Sequence, residues 1–230
     1  VRMPASMTGT VGVKTSQARW SIEGISPLSP TLDTPGTLTR TVADAALAFS
    51  VIDPETAPDP KRFLDAVDSA AAGDFRIGVC EAYFADCEPG IAEGVRAALA
   101  ELEAAGARLV DVEIPNLDEI DTIFRTGGLS AYEFAGFISD VLPDFVADLD
   151  PMVGSRFDKM AAMTAADYLV RRRRLEVLTQ LAHTALEDVH AVVGPTVPIT
   201  PPRIEDVREP SPYMKANLMA ARNTTTVNLL

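Results

Sequence analysis

Side chains that can act on a substrate unaided are sparse in this 230-residue sequence, and few of them are spaced to work together. No Gly-x-Ser-x-Gly elbow occurs, and no Ser-x-x-Lys: the residues three before Lys14, Lys61, Lys159 and Lys215 are Val11, Pro58, Arg156 and Pro212. A P-loop, an HExxH pair and a Gly-x-Gly-x-x-Gly turn are also missing. Cys80 and Cys87 lack a CxxC spacing and have only His183 and His190 as further soft ligands, so no metal site is expected. The two histidines are seven apart, the spacing of two helical turns, and are read as packing or surface residues. Carboxylate clusters such as Asp118/Glu119/Asp121 and Asp148/Asp150 have the composition for acid–base work, but with 33 acidic residues in the chain such clusters arise by chance.

The charge balance narrows the partners. Twenty basic against 33 acidic residues leave a net charge of −13, which opposes loose binding to nucleic acid or an anionic membrane surface. The run Arg171–Arg174 is therefore read as a solvated helix face paired with carboxylates. No apolar stretch approaches the ~18 residues of a membrane span, and no leader is expected at the start. Two cysteines make no disulfide framework, which points to a reducing, cytoplasmic setting. The partner expected is a small molecule, with no cofactor; a homodimer is admitted.

The elements that would position a site follow from periodicity and punctuation. Gly9–Lys14 reads as a short buried strand entered through a tight turn, in a stretch rich in Gly and Pro. Thr41 opens an Ala-rich helix running to Ile52, closed by Asp53-Pro54. Residues 53–73 are the most linker-like span. Phe75, Ile77 and Val79 alternate, predicting a strand over 75–80. Pro89 stands where a first helical residue belongs; Ile91, Val95, Leu99 and Leu102 follow at helical spacing, and Gly106 stops them. Val110, Val112 and Ile114 then predict a second strand, completing a βαβ-like unit over 74–115. A long helix is predicted from Thr164, as N-cap with Asp167 at N3, to Val189, with Leu178, Leu181, Ala185 and Leu186 as its apolar stripe. Ala191–Val193 reads as a strand. Six prolines between 195 and 212 predict an extended loop, and a short helix near 213–221 closes the chain. Trp20 is assigned to the core.

Four ordered segments carry a resemblance. Val1-Arg2-Met3-Pro4-Ala5, Gly9-Thr10-Val11-Gly12-Val13-Lys14, Leu32-Asp33-Thr34-Pro35-Gly36 and Arg40-Thr41-Val42-Ala43-Asp44-Ala45-Ala46 resemble the signature of the amidase signature family, which reads Gly-Gly-Ser-[Ile/Val]-Arg-x-Pro-Ala, Gly-x-x-Gly-x-Lys-Pro-Thr, Asp-x-x-Gly-Pro and Arg-[Ser/Thr]-Val-x-Asp-Ala. Later stretches agree: Arg76–Val79 with its helix and Gly106-Ala107, Val192–Thr196, and Arg222-Asn223 through Asn228-Leu229. The chain departs from the pattern at Thr15-Ser16, Ala18-Arg19 and Thr37, positions that touch loop geometry more than chemistry.

The resemblance implies an α/β fold of the amidase-signature kind, with a mixed central sheet flanked by helices, of which residues 1–230 form one partial domain: a post-nucleophile segment at 1–52, the βαβ-like unit at 74–115 and a specificity region with its Pro-rich loop at 116–212. It implies amide hydrolysis through a Ser–cis-Ser–Lys triad and an acyl-enzyme. On the matched motif the nucleophile is the residue before Val1, and the cis-Ser and Lys lie further upstream. No catalytic residue is then expected in this chain, Lys14 and Ser16 fall on other motif positions, and the chain alone is expected to be inactive. Arg2 is expected to anchor backbone and acidic groups behind the catalytic turn, Asp33 to brace its loop, and Arg40 to pair with Asp44. Phe124, Tyr132, Phe134, Phe137 and Phe157 make 116–200 the aromatic part of the chain; Phe124 and Tyr132, with Thr196, are the substrate-pocket candidates. The A subunit of a tRNA-dependent amidotransferase is the alternative in the same family, although it usually has Leu-Asp-Gln where this chain has Leu32-Asp33-Thr34. A non-catalytic scaffold is the alternative from another class.

Overall fold

The computed structural model describes residues 1–154 and 164–230. In chain order the elements are α1 (Arg2–Thr8), β1 (Val11–Lys14), β2 (Gly36–Thr39), α2 (Val42–Ile52), α3 (Pro60–Ser69), β3 (Arg76–Val79), α4 (Ile91–Ala104), β4 (Arg108–Asp111), α5 (Leu117–Arg125), α6 (Ser130–Val141), α7 (Ala165–Ala185), β5 (Ala191–Val193) and α8 (Pro210–Leu229). The α/β class is present, and among the described residues the strands form two sheets. β1 and β2 pair antiparallel, while β4, β3 and β5 form a separate parallel sheet in that order.

Local chemistry accounts for most boundaries. The Thr41 hydroxyl accepts from the Asp44 amide at 3.0 Å and starts α2. Thr164 and Asp167 exchange side-chain-to-backbone bonds, each 3.1 Å long, and start α7. At α4 the cap is Gly90, left-handed at φ 90°, rather than a helical Pro89; its amide donates to Glu93 Oε2 at 2.9 Å. α7 stops at Ala185, so His183 and His190 do not share a helix face. His190 Nδ1 instead accepts from the Arg76 amide at 2.9 Å beside the sheet.

Two clusters make the core. One surrounds β3: Ile77, Val79, Tyr83, Phe84, Leu99, Ile114 and Ala182. The other joins α5, α7 and α8 through Ile120, Ile123, Leu175, Leu178 and Leu229. Leu117 and Leu230 pack against both. As the central strand of a parallel sheet, β3 buries Ile77, Gly78 and Val79 in succession, so the alternation seen in the sequence does not mark an exposed face. A Cβ at Gly78 would come within 3.1 Å of Val112 and 3.2 Å of Val189. On α7 the buried positions are Leu175, Leu178 and Ala182, whereas Leu181 is 42% exposed. Trp20 is buried, with its Nε1 donating to Asp53 at 2.9 Å.

The end of the chain differs most from the sequence reading. Residues 210–229 form a single helix, and 204–207 a helical turn before it. Pro210 and Pro212 lie in the first turn, where no amide donor is required. Thr224–Thr226 are β-branched and suggest extended chain, but Ala220, Asn223, Thr226 and Leu229 recur three apart and are all buried. Tertiary burial outweighs a propensity deficit of a few tenths of a kcal/mol per residue.

Candidate active site

The first residues of the chain are held by close backbone approach. A Cβ at Gly12 would stand 2.6 Å from Ala5 Cβ and 3.2 Å from the Val1 carbonyl oxygen. One at Gly36 would meet the Val13 oxygen at 2.3 Å and Val1 Cγ2 at 3.0 Å. Glycine at these two positions lets α1 lie on the β1–β2 hairpin. From α1, Arg2 reaches the last helix: its Nη2 donates to the Thr224 oxygen at 2.7 Å and to Asn228 Oδ1 at 3.3 Å. The expected ion pair is not formed with any described residue; carbonyl and amide oxygens take its place. Burial lowers the pKa of the guanidinium, partly offset by Tyr83.

Arg2 borders a cavity of about 370 Å³. Its wall is built from Tyr83, the end of α7 at Ala182, His183 and Leu186, the turn Gly194-Pro195-Thr196 after β5, and the last turns of α8 at Asn223, Thr224, Val227 and Leu230. Asn223 fixes the geometry. Its Nδ2 donates to the Pro195 oxygen at 2.7 Å and the Tyr83 oxygen at 2.9 Å, and its Oδ1 accepts from Arg222 Nε at 3.0 Å. A second latch lies beyond it: the Thr200 amide and hydroxyl donate to Glu88 Oε2 at 2.8 and 2.6 Å, and the Glu88 amide donates to the Pro198 oxygen at 2.8 Å. The Thr200 bonds hold the Glu88 carboxyl below its ordinary pKa. Pro195 and Pro198 are fully buried between these latches, so this part of the Pro-rich loop is rigid.

The candidates from the sequence separate here. Thr196 lines the cavity, and Arg2 stands at its edge. Phe124 packs on the α5–α7–α8 core instead. Tyr132 donates to the Thr126 oxygen at 3.2 Å and lies under the Arg171 guanidinium, 5.7 Å from its ring centre. Neither lines this cavity. Phe157 falls outside the described residues. Asp33 Oδ2 accepts from the amides of Leu28 at 2.8 Å and Ser29 at 2.9 Å, closing its loop. Arg40 and Asp44 are exposed and unpaired with each other, because Arg40 precedes the Thr41 cap and is not on α2. Three residues of the Arg171–Arg174 run make structural contacts: Arg174 grips Glu119 through two bonds of 2.6 Å, Arg172 pairs with Glu176, and Arg171 donates to the Thr126 oxygen at 3.0 Å.

Sequence reasoning did not select Tyr83, Asn223 or His183 for this site. Tyr83 lies in a four-residue helical turn with no periodic signal. Asn223 stood inside a quoted motif, and its role depends on which carbonyls the fold brings to it. A second hollow of about 800 Å³ lies at the carboxyl ends of β3 and β4, with Glu81, Asp111, Glu113 and Glu119 on its wall. Glu81 and Glu119 are already paired with Arg96 and Arg174, and no group of three or more metal-ligand side chains occurs among the described residues. No helix among them is long and apolar enough to cross a membrane.

Comparison with known proteins bears on this architecture. The model of the family described as Amidase matches residues 1–230. The chain is 42% identical over 234 residues to a 2-amino-5-chloromuconic acid deaminase of Comamonas testosteroni, covering all of this chain and 49% of that protein. It is 32% identical over 207 residues to an amidase of Pseudomonas putida, covering 86% of this chain and 44% of the other. An amidase crystal structure superposes with a TM-score of 0.79 at 24% identity, over 100% of this chain and 51% of that one. The chain thus spans about half the length of the proteins it matches.

Proposed function

Because the chain belongs to the amidase family, we propose that it is the part of a C–N hydrolase that backs the nucleophile turn and walls the acyl pocket, the reactive serine occupying the position before Val1. In the complete protein that serine attacks the carboxamide carbon, the C–N bond breaks, ammonia leaves with a proton relayed from the upstream Lys–Ser pair, and water then cleaves the acyl-enzyme. The observation that carries this reading is the seat of the amino-terminal residues. Val1 lies against Gly12 and Gly36 while Arg2, one residue on, borders a part-apolar cavity. On this reading a nucleophile preceding Val1 would stand near that cavity, which supports the proposal.

Within this chain the residues proposed to face substrate are Thr196, Tyr83 and His183. Arg2 and Asn223 are positioning residues, and Asp33 braces the loop before β2. The relative from Comamonas testosteroni is named for removing an amino group from an unsaturated acid, so the reading takes in small C–N substrates beyond simple carboxamides. Two free cysteines favour a cytoplasmic location as part of the same reading. The Leu32-Asp33-Thr34 sequence favours this hydrolase over the amidotransferase subunit.

The test is to express the complete protein with the residue before Val1 in place and to measure ammonia release from a panel of small carboxamides. Hydroxylamine should intercept the acyl-enzyme as a hydroxamate. Replacing that residue by alanine should abolish both signals. Full turnover in the alanine variant, or by residues 1–230 alone, would overturn the proposal.

A further inference from the structure

The loop between β1 and β2 returns to the hairpin through a closed knot over residues 28–33. The Ser29 oxygen accepts from the amides of Leu32 at 2.8 Å and Asp33 at 2.7 Å. In the other direction Asp33 Oδ2 accepts from the amides of Leu28 and Ser29. The knot is gripped from outside by Glu133 on α6, 104 residues from Ser29. Glu133 Oε2 accepts from Ser29 Oγ at 2.9 Å and from the Thr31 amide at 3.1 Å. Its Oε1 accepts from Thr31 Oγ1 at 2.5 Å and from the Tyr168 hydroxyl of α7 at 2.7 Å. Bonds to an ionised acceptor are the strong ones, and Ser29 at 1% exposure makes its bond away from water.

The knot ends three residues before Gly36. The Pro35 oxygen accepts from Thr15 Oγ1 at 3.4 Å, which closes the loop at its base. Gly36 then packs so tightly that a Cβ there would stand 3.0 Å from Val1 Cγ2 and 2.3 Å from the Val13 oxygen. Bonds and close contacts therefore run without a gap from the α6–α7 pair, through Ser29–Asp33 and Pro35-Gly36, to Val1.

We propose that Glu133 is a positioning residue: it ties the 28–33 knot to α6 and α7 and, through Gly36, sets where Val1 and the nucleophile before it stand. Its place in catalysis rests on the hydrolase reading. The tie between Glu133 and the amino-terminal hairpin rests on the hydrogen bonds alone. Such a tie acts on rate rather than on binding, since a reacting group misplaced by about 1 Å can lose about a hundredfold. Glutamine is a partial substitute. Its oxygen can keep the Ser29 hydroxyl and the Thr31 amide, while its NH2 donates to the Thr31 and Tyr168 hydroxyls, which are able to accept. Alanine keeps none of these bonds.

The experiment uses the complete protein and three variants, Glu133→Ala, Glu133→Gln and Thr31→Val. Ammonia release is followed on the carboxamide that the parent hydrolyses fastest, at a temperature well below every melting midpoint. Glu133→Ala should lower kcat by about tenfold or more with KM changed by less than about twofold, and Glu133→Gln should recover kcat to within about threefold of the parent. Hydrogen exchange read by mass spectrometry supplies the second measurement. In Glu133→Ala, exchange should rise over residues 28–39 and 1–14 by a larger factor than over 75–80 of the parallel sheet. Should the alanine variant fail to fold, Thr31→Val loses a single hydroxyl and should show the same two effects at smaller size. An unchanged kcat in the alanine and valine variants, a loss confined to KM, or exchange at 1–14 that rises no more than at 75–80 would each overturn the assignment. Failure of the hydrolase reading looks different: the parent turns over no carboxamide, while loss of the Glu133 bonds still loosens residues 1–14.

Discussion

Replacing Asn223 by alanine removes a side chain that ties the Pro195 turn, the Tyr83 turn and α8 together. Two backbone oxygens, at 2.7 and 2.9 Å from its Nδ2, lose an amide donor at a residue only 5% exposed, the Tyr83 oxygen keeping the weak Cys87 thiol bond at 3.8 Å. Each buried carbonyl left unsatisfied costs about 1–3 kcal/mol, and water entering the neighbouring cavity recovers part of that, so a net loss of about 3 kcal/mol is expected. Unfolding entropy of about 2.1 cal/mol/K per residue gives roughly 0.5 kcal/mol/K for a chain of this length, and the midpoint should fall by about 6 °C. Asn223→Asp should be worse than alanine, because it sets a carboxylate against two carbonyl oxygens. Differential scanning calorimetry on the two variants and the parent decides the matter. The complete enzyme should also lose kcat/KM, because Thr196 is no longer held at the cavity wall. A midpoint within about 1 °C of the parent for the alanine variant would refute the claim that Asn223 clamps the site.

Other outcomes follow from the same coordinates. Gly36→Ala should cost more than about 2 kcal/mol and yield insoluble protein, since its Cβ would sit 2.3 Å from a backbone oxygen, whereas Gly136→Ala on open helix surface should add about 0.5–1 kcal/mol; melting temperature and soluble yield read both. The Glu133 carboxylate accepts from Ser29 Oγ, the Thr31 amide and hydroxyl, and Tyr168. Burial pushes its pKa up, but those bonds outweigh burial and hold it below 4.5, so its contribution is present above that pH and is lost as pH falls through the depressed value. Glu133→Gln should destabilise by about 1 kcal/mol at neutral pH and flatten the acid limb of an unfolding-against-pH curve. Asp53 is fully buried between Arg19, at 2.5 and 2.9 Å, and Trp20, and the Arg19 bond draws its pKa down to about 2. Asp53→Asn should loosen that corner, seen as red-shifted emission from the single Trp20 and as lost resistance to acid between pH 3.8 and about 2.

Much of the fold was legible because local signals carried it. Thr41 and Thr164 start helices through bonds made within three residues of themselves, so their side chains suffice to place the boundaries. The alternation at 75–80 located a strand. It did not tell that the strand is central, because the burial of Gly78 comes from Val112 and Val189, far along the chain. The reading of α8 erred for a related reason: six prolines between 195 and 212 predict loop although Pro210 and Pro212 suit a first helical turn, and it is packing against Arg2, Tyr83 and the two cores that carries the helix through β-branched Thr224–Thr226.

By itself the sequence determined the Thr41 and Thr164 caps, the acidic balance and the motif order that identifies the family, all of which are written in neighbouring or regularly spaced residues. The cavity was decided by tertiary structure alone. Arg2 and Asn228 lie 226 residues apart, and Tyr83 and Asn223 are separated by 140, yet each pair meets within hydrogen-bonding distance. No local rule links such partners, since their meeting is set by how the β1–β2 hairpin, the parallel sheet and α8 bury their apolar faces together.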